Sequence, residues 1–154
     1  LDLRWVMKAE LKRIPFVAAG CRAIGHIFID RSDPEQARTA INDAVARLKP
    51  GTGILFFAEG TRSRTGALLP FKKGAFRVAI DSQMPVLPMT VTGTRDVLPP
   101  GTFRLQPGRV FLRIHRPIPV KGLAMADADR LRTQVQQQIA SGLSGSLADA
   151  SAYS

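Results

Sequence analysis

The residues with the clearest capacity for chemistry lie in one stretch, FAEGTRSRTGALLPFKKG at 57–74. Gly60 and Gly66 permit tight turns, and the hydroxyls and cations around them are groups that bind anions. The stretch begins where a buried strand at 54–57 is predicted to end, which is the usual place for a site in an α/β sheet. We interpret it as a phosphate or carboxylate site; the alternative is an exposed loop rich in turn residues. The side chains concerned are the hydroxyls of Thr61, Ser63 and Thr65 and the cations Arg62, Arg64, Lys72 and Lys73.

Other phosphate and metal motifs do not match. The sequence contains neither G-x-x-x-x-G-K-[ST] nor G-x-G-x-x-G, which disfavours nucleoside triphosphates and dinucleotides. Two histidines and one cysteine, Cys21, show no zinc-ligand spacing and allow no disulfide within the chain. We therefore predict no metal and no bound cofactor.

The two histidines are weak candidates for a catalytic base. His26 and Asp30 form H-x-x-x-D, but on a strand they would lie about 13 Å apart on one face, too far to hydrogen-bond. His115 has no acidic residue within six positions. We expect both to have structural roles.

The charge balance points to an anionic partner. Lys and Arg number 22 against 12 acidic residues, for a net charge of +10, which suits nucleic acid, a phospholipid surface or a phosphorylated small molecule. Most of these cations would equally suit a solvated basic face. No apolar run approaches the roughly 20 residues that span a bilayer, so any membrane anchor would lie outside this sequence or be peripheral.

The elements that must position these residues are alternating strands and helices. The helical period is clearest in the segment that Asp33 can cap, with Pro34 in its first turn and Gly51 at its exit. Strands predicted at 26–29 and 53–58 flank this helix, which indicates a βαβ unit with parallel pairing. Further predicted elements are strands at 5–7, 86–91 and 110–115 and helices near Glu10, at 73–82 and over 128–139. The fold class expected is α/β: a single domain over 1–141 with a mixed, mostly parallel sheet flanked by helices, then a loose tail over 142–154.

Four blocks in this order resemble the glycerolipid acyltransferases of the 1-acylglycerol-3-phosphate acyltransferase type. FAEGTRS (57–63) resembles the family signature F-P-E-G-T-R-S, with Ala58 where the family has proline. VMKAEL (6–11), GHIFIDR (25–31) and VLPMTVTG (86–93) resemble the blocks around it, so the resemblance covers residues 4 to about 120.

The resemblance implies an acyl thioester donor, acyl-CoA or acyl-carrier protein, and lysophosphatidate as acceptor. It places Lys8, Arg31 and Arg62 at the acceptor phosphate, where an arginine fork can grip the oxygens bidentately. It also implies an enzyme of phospholipid biosynthesis, peripheral on the cytoplasmic face of the membrane. The residues that would shape the loop are Glu59, Gly60, Thr61 and Ser63, and Lys72, Lys73 and Gly74 match a stretch of less certain role.

Family members use a histidine oriented by an aspartate in H-x-x-x-x-D as general base, and this sequence has no such motif. Because the sequence starts at Leu1 rather than methionine, we expect a fragment whose catalytic pair lies upstream and which is inactive alone. The alternatives are another acceptor, such as glycerol-3-phosphate, a lysophospholipid or an amino-acid lipid, or a non-catalytic basic domain that binds a membrane surface or nucleic acid. No helix-turn-helix or aromatic RNA-binding signature supports nucleic acid, which we do not expect as a partner.

Overall fold

A computed structural model describes residues 2–30, 32–63, 65–99, 101–102 and 104–149. The chain divides into two compact units, Leu1–Gly60 and Thr61–Ser154. The first unit contains β1 (Asp2–Lys8), α1 (Pro15–Ile24), β2 (Ile27–Ile29), α2 (Pro34–Ala46) and β3 (Thr52–Leu55), with a 3-10 helix at Ala9–Arg13. The second contains α3 (Gly74–Asp81), β4 (Met89–Thr92), α4 (Thr94–Val97), β5 (Phe111–Ile114) and α5 (Ala128–Asp149), with a 3-10 helix at Met125–Asp127.

The strands of the first unit form a parallel sheet in the order β2-β1-β3. The first half of β1 pairs with β3, where Asp2 lies opposite Thr52. Its second half pairs with β2, where Lys8 lies opposite Ile29. Since parallel strands end at the same edge, the carboxyl ends of all three strands meet at one side of the sheet.

The helices of the first unit begin and end at residues suited to those positions. Asp33 caps α2 by accepting a hydrogen bond from the Gln36 amide at 3.0 Å. Pro15 opens α1, and Gly25 closes it in the left-handed conformation with φ of 80°. The core of this unit is formed by the buried side chains of Val6, Ala18, Ile27 and Ile41.

The second unit packs α3 and α5 together and α5 against β4, which pairs antiparallel with β5. Leu131 and Val135 on α5 are buried, as is Phe76 on α3. The Phe76 ring stacks on Phe71 with centroids 6.4 Å apart. Apolar burial therefore comes from one face of each helix, as the amphipathic pattern of α5 indicates.

The α/β class with a parallel sheet and flanking helices is confirmed; the described strands form a parallel sheet in the first unit and a separate antiparallel pair in the second. The βαβ prediction is refined, because β2 and β3 run parallel but β1 lies between them. Helix α2 ends at Ala46, five residues before Gly51, the exit expected for it.

Three segments differ from the expected elements. α1 and the short α4 were not predicted, and α5 continues to Asp149, so that residues 142–149 are helical although a loose tail was expected. A Cβ added at Gly142 would lie 2.6 Å from Thr90 Oγ1. Close packing against β4 thus explains why a glycine occupies this position of the helix. Residues 150–154 of the expected tail lie outside the described part of the chain.

Candidate anion-binding site

The carboxyl edge of the three-stranded sheet presents the first candidate residue, Lys8. It is the last residue of β1, the central strand, and its side chain is exposed. Within the described residues it makes no ion pair. If the register that pairs Trp5 with Leu55 is continued, Lys8 lies level with Ala58. Because the strand order changes direction at β1, this edge has the topology at which open α/β sheets bind ligands.

The segment after β3 forms a tight turn beside this strand end. The Gly60 amide donates a hydrogen bond to the Phe57 carbonyl at 2.9 Å, so that Ala58 and Glu59 are the two central residues. Gly60 has φ of 72°, a conformation that side chains disfavour. The family's proline would therefore occupy position i+1, where proline is favoured in β-turns. Glu59 is half-buried at the second central position, consistent with a loop-shaping role.

The segment after β2 is held by Asp30. Its carboxylate accepts hydrogen bonds from the Ser32 hydroxyl at 2.5 Å and the Ser32 amide at 2.9 Å, and these bonds lower the pKa of Asp30. Asp30 is thus ionised and bound to the backbone rather than paired with His26. Arg31, predicted at the acceptor phosphate, lies outside the described residues.

In the second unit, the loop after Gly60 is organised by its own hydroxyls. Ser63 Oγ accepts a hydrogen bond from the Gly66 amide at 3.0 Å, and Thr65 Oγ1 accepts one from the Ala67 amide at 3.3 Å. Arg62 is exposed and makes no ion pair with the described residues, and Thr61 is likewise exposed. Arg64 lies outside the described part.

Sequence reasoning did not single out Arg95 as a neighbour of this loop. A Cβ added at Gly66 would lie 3.2 Å from Arg95 Nη1, so this guanidinium lies directly against the loop. The two residues are far apart in sequence, and only the folding of β4 and α4 within this unit brings them together. No local pattern could have revealed the contact.

The downstream cations differ from each other. Lys73 Nζ forms an ion pair with Asp129 Oδ2 at 2.9 Å, linking the start of α3 to α5. Lys72 is exposed and makes no ion pair within the described residues. Gly74 is the first residue of α3. Lys73 is therefore paired with a carboxylate of its own unit, whereas Lys72 has no such partner among the described residues.

His26 is part of a packing cluster in the first unit. Its Nδ1 accepts a hydrogen bond from the Trp5 amide at 3.3 Å, and its ring stacks on the Trp5 indole with centroids 5.7 Å apart. Because Nδ1 already accepts a backbone hydrogen bond, this nitrogen is not available to take a proton from a substrate. This arrangement is structural, as expected, and unsuited to a general base.

His115 is likewise engaged in the second unit. Thr90 Oγ1 donates to the Ile139 carbonyl at 3.0 Å and lies 2.8 Å from His115 Nε2, which therefore donates to it. Burial, and secondarily Arg113, lowers the pKa of His115. The neutral ring joins β4, β5 and α5, which agrees with the structural role expected for it.

These observations define an α/β protein with exposed cations at the carboxyl edge of a parallel sheet and in the glycine-turn loop. A family model described as Acyltransferase matches residues 2–92. The chain belongs to the acyltransferase family, which confirms the resemblance seen in the sequence.

Individual relatives agree with this family. A 1-acyl-sn-glycerol-3-phosphate acyltransferase from Limnanthes douglasii is 39% identical over 114 residues, covering 73% of this chain and 41% of that protein. One from Chlamydomonas reinhardtii is 33% identical over 141 residues, covering 91% of this chain and 41% of that protein. The crystal structure of the 1-acyl-sn-glycerophosphate acyltransferase from Thermotoga maritima is similar with a TM-score of 0.75 and 35% identity, covering 93% of this chain and 56% of that one.

The chain thus spans less than half the length of each of the two curated relatives named above. No helix among the described residues is long and apolar enough to cross a bilayer.

Proposed function

We propose that this chain provides the acceptor-binding part of an enzyme that transfers a fatty acyl group from an acyl thioester to the free hydroxyl of lysophosphatidate, in phospholipid biosynthesis. Lys8, Arg31 and Arg62 are the proposed phosphate ligands. Glu59, Gly60, Thr61 and Ser63 shape the loop. The donor is acyl-CoA or acyl-carrier protein.

The observation that carries this proposal is the carboxyl edge of the sheet, where Lys8 is exposed beside the turn that ends at Gly60 and has no ion pair with any described residue. An unpaired cation at a strand end costs little in solvent and is available to an anion. The phosphate of the acceptor supplies that anion and accepts charge-assisted hydrogen bonds of about 2.7–2.9 Å. The relatives named above are acyltransferases of 1-acyl-sn-glycerol-3-phosphate, the same acceptor.

The reaction requires a base that neither histidine of this chain can readily provide. The acceptor oxygen attacks the thioester carbonyl, the new C–O bond forms, the C–S bond breaks, and the hydroxyl proton passes through the base to the departing thiolate. His26 Nδ1 and His115 Nε2 both have structural partners. We infer that the histidine and aspartate of the family's H-x-x-x-x-D are supplied from outside these 154 residues, and that the 154-residue chain is inactive alone.

The test is release of free thiol from an acyl-CoA by the complete gene product. Lysophosphatidate, glycerol-3-phosphate, a lysophospholipid and monoacylglycerol are compared as acceptors. Lysophosphatidate should give the highest kcat/KM and monoacylglycerol, which lacks phosphate, the lowest. Activity with monoacylglycerol equal to that with lysophosphatidate contradicts the proposal.

Arg62 gives the matched pair of variants. Arg62→Ala removes a guanidinium whose bonds to a charged group contribute about 1.5–3 kcal/mol, so kcat/KM should fall about tenfold to hundredfold. Arg104→Ala removes an exposed cation of the same unit outside the proposed site, and this substitution should change kcat/KM less than twofold. Equal losses in the two variants would mean that net charge alone matters.

The location proposed is the cytoplasmic face of the membrane, with the protein held peripherally. The net charge of +10 supports attraction to an anionic lipid surface, with each cation near it contributing on the order of 1 kcal/mol at low salt. The proposal concerns a lipid acceptor that is delivered from a bilayer, so a membrane surface is its natural partner.

A further inference from the structure

Helix α1 presents an uncovered apolar surface. Phe16 is 92% exposed, and Ile14, Val17 and Ile24 are 48%, 38% and 55% exposed. Within α1 only Ala18 is buried, and Arg22 is the one charged residue. Residues seven apart lie at nearly the same angle around a helix, so Val17 with Ile24, and Phe16 with Ala23, form a continuous stripe. A contiguous exposed patch of this kind marks an interaction surface.

The charged residues from Lys12 to Arg22 are all basic. Between Glu10 and Asp30 the sequence contains no acidic residue and three cations. These are Lys12, Arg13 and Arg22, and all three are exposed. Lys12 Nζ lies 5.6 Å from the centre of the Phe28 ring, a cation–π distance, and the residue remains exposed. An apolar stripe whose own segment carries exposed cations and no acidic residue is complementary to a bilayer with anionic headgroups.

The position of the helix fits the same partner. β1 ends at Lys8, the 3-10 helix Ala9–Arg13 follows, and α1 returns toward the start of β2. The beginning of α1, which carries Phe16, therefore lies at the carboxyl edge of the sheet. That is the edge at which Lys8 is exposed.

We propose that the surface formed by Lys12, Arg13, Ile14, Phe16, Val17 and Ile24 docks on an anionic lipid bilayer, with Phe16 inserted among the headgroups. Docking there would bring the carboxyl edge of the sheet to the surface where a lysophospholipid acceptor resides. The inference rests on the membrane part of the proposed function and names the residues responsible.

Co-sedimentation of the 154-residue chain with vesicles tests it. Vesicles of phosphatidylcholine alone are compared with vesicles that also contain phosphatidylglycerol, at low and high salt. Partitioning should favour the anionic vesicles and weaken with salt. Phe16→Ser should lower the partition coefficient about tenfold, the effect of losing about 1.4 kcal/mol of apolar burial. The double variant Lys12→Gln, Arg13→Gln should lower the partition coefficient on anionic vesicles, and only at low salt.

Leu105→Ser is the matched control, because Leu105 is 72% exposed but belongs to the second unit. It should change partitioning less than twofold. Phe16→Trp adds an insertion readout: its fluorescence should shift to shorter wavelength on anionic vesicles and be quenched by brominated lipids, beyond the change shown by Trp5 in the unmodified chain.

Three results would overturn the proposal. One is equal partitioning of the unmodified chain and Phe16→Ser, and another is an equal loss in Leu105→Ser. The third is concentration-dependent self-association that Phe16→Ser abolishes, which would assign the stripe to a second copy of the chain. The vesicle measurement contains no acyl donor, so its outcome is independent of the acyl-transfer assay.

Discussion

The cations at the two edges of the three-stranded sheet differ in whether they have a carboxylate partner. At the amino edge, Arg4 forms an ion pair with Asp2, and the buried Thr52 hydroxyl donates to the same carboxylate at 3.0 Å. At the carboxyl edge, Lys8 lies on the same strand and the same face as Arg4, yet it has no acidic partner among the described residues. A cation with a carboxylate partner contributes to the fold, whereas one without a partner is available to an external anion. This difference is the physical basis for assigning binding to the carboxyl edge.

The largest expected effect separates the two edges directly. Lys8→Ala in the complete gene product should lower kcat/KM for lysophosphatidate about tenfold to hundredfold, because one charge-assisted interaction of about 1.5–3 kcal/mol is lost. The free energy of unfolding should change little. Arg4→Ala should do the reverse, lowering stability and leaving kcat/KM within twofold. If both variants lose activity alike, the contrast between the edges is wrong.

The buried hydroxyl at the amino edge should have a measurable effect on stability. Thr52→Val keeps the side-chain shape but removes the hydrogen bond to Asp2, which should cost about 1 kcal/mol in urea unfolding. Thr39→Val is the control, because its exposed hydroxyl bonds only to the Glu35 carbonyl of its own helix. A larger loss in Thr39→Val would show that the amino-edge cluster contributes nothing specific.

At the carboxyl edge, one substitution in the turn should stabilise the folded chain rather than destabilise it. Ala58→Pro places proline at position i+1 of the Phe57–Gly60 turn and should raise the free energy of unfolding by about 0.4–1 kcal/mol, because the unfolded chain has fewer conformations. Ala67→Pro should lower it, since that amide donates to Thr65 Oγ1. A loss of stability in Ala58→Pro would contradict the turn geometry.

The smallest effect is a pH dependence at the amino edge. The hydrogen bond from Arg4, then that from Thr52, lowers the pKa of Asp2 from its ordinary value of 3.8. Because the folded pKa is below the unfolded one, the stabilisation is complete above the unfolded value and is lost as pH falls through the folded value. The stability difference between the unmodified chain and Asp2→Asn should therefore shrink as pH falls below about 4. A difference that stays constant across that range would argue against the pairing.

Most of the fold followed from local sequence because its signals are local. Asp33 caps α2 through the Gln36 amide, as capping residues do, and the strands around it were predicted from apolar runs. α1 was missed because PFVAAGCRAI contains one charged residue and several small ones, so the difference between its two faces is not marked by charge. Its clearest signals were Pro15 at the start and Gly25 at the end. The strand order β2-β1-β3 depends on pairing between distant segments, which a single βαβ pattern does not specify.

The candidate site was predictable to the extent that it depends on strand ends. Lys8 at the end of β1 and the turn at Gly60 follow from the sequence pattern and the family resemblance. The ion pair between Lys73 and Asp129 could not be predicted in this way, because Asp129 belongs to a helix far along the chain. The same reason applies to Arg95, whose contact with Gly66 exists only in the folded unit.

The central claim is that the cations of this chain bind the phosphate of a lipid acceptor. Its most direct test is isothermal titration calorimetry of the 154-residue chain. The chain is titrated with lysophosphatidate and, separately, with monoacylglycerol of the same acyl chain. Lysophosphatidate should bind more tightly, and Lys8→Ala and Arg62→Ala should each reduce that preference about tenfold, whereas Arg4→Ala should not. Equal affinity for the two lipids, or a preference that survives both substitutions, would contradict the assignment.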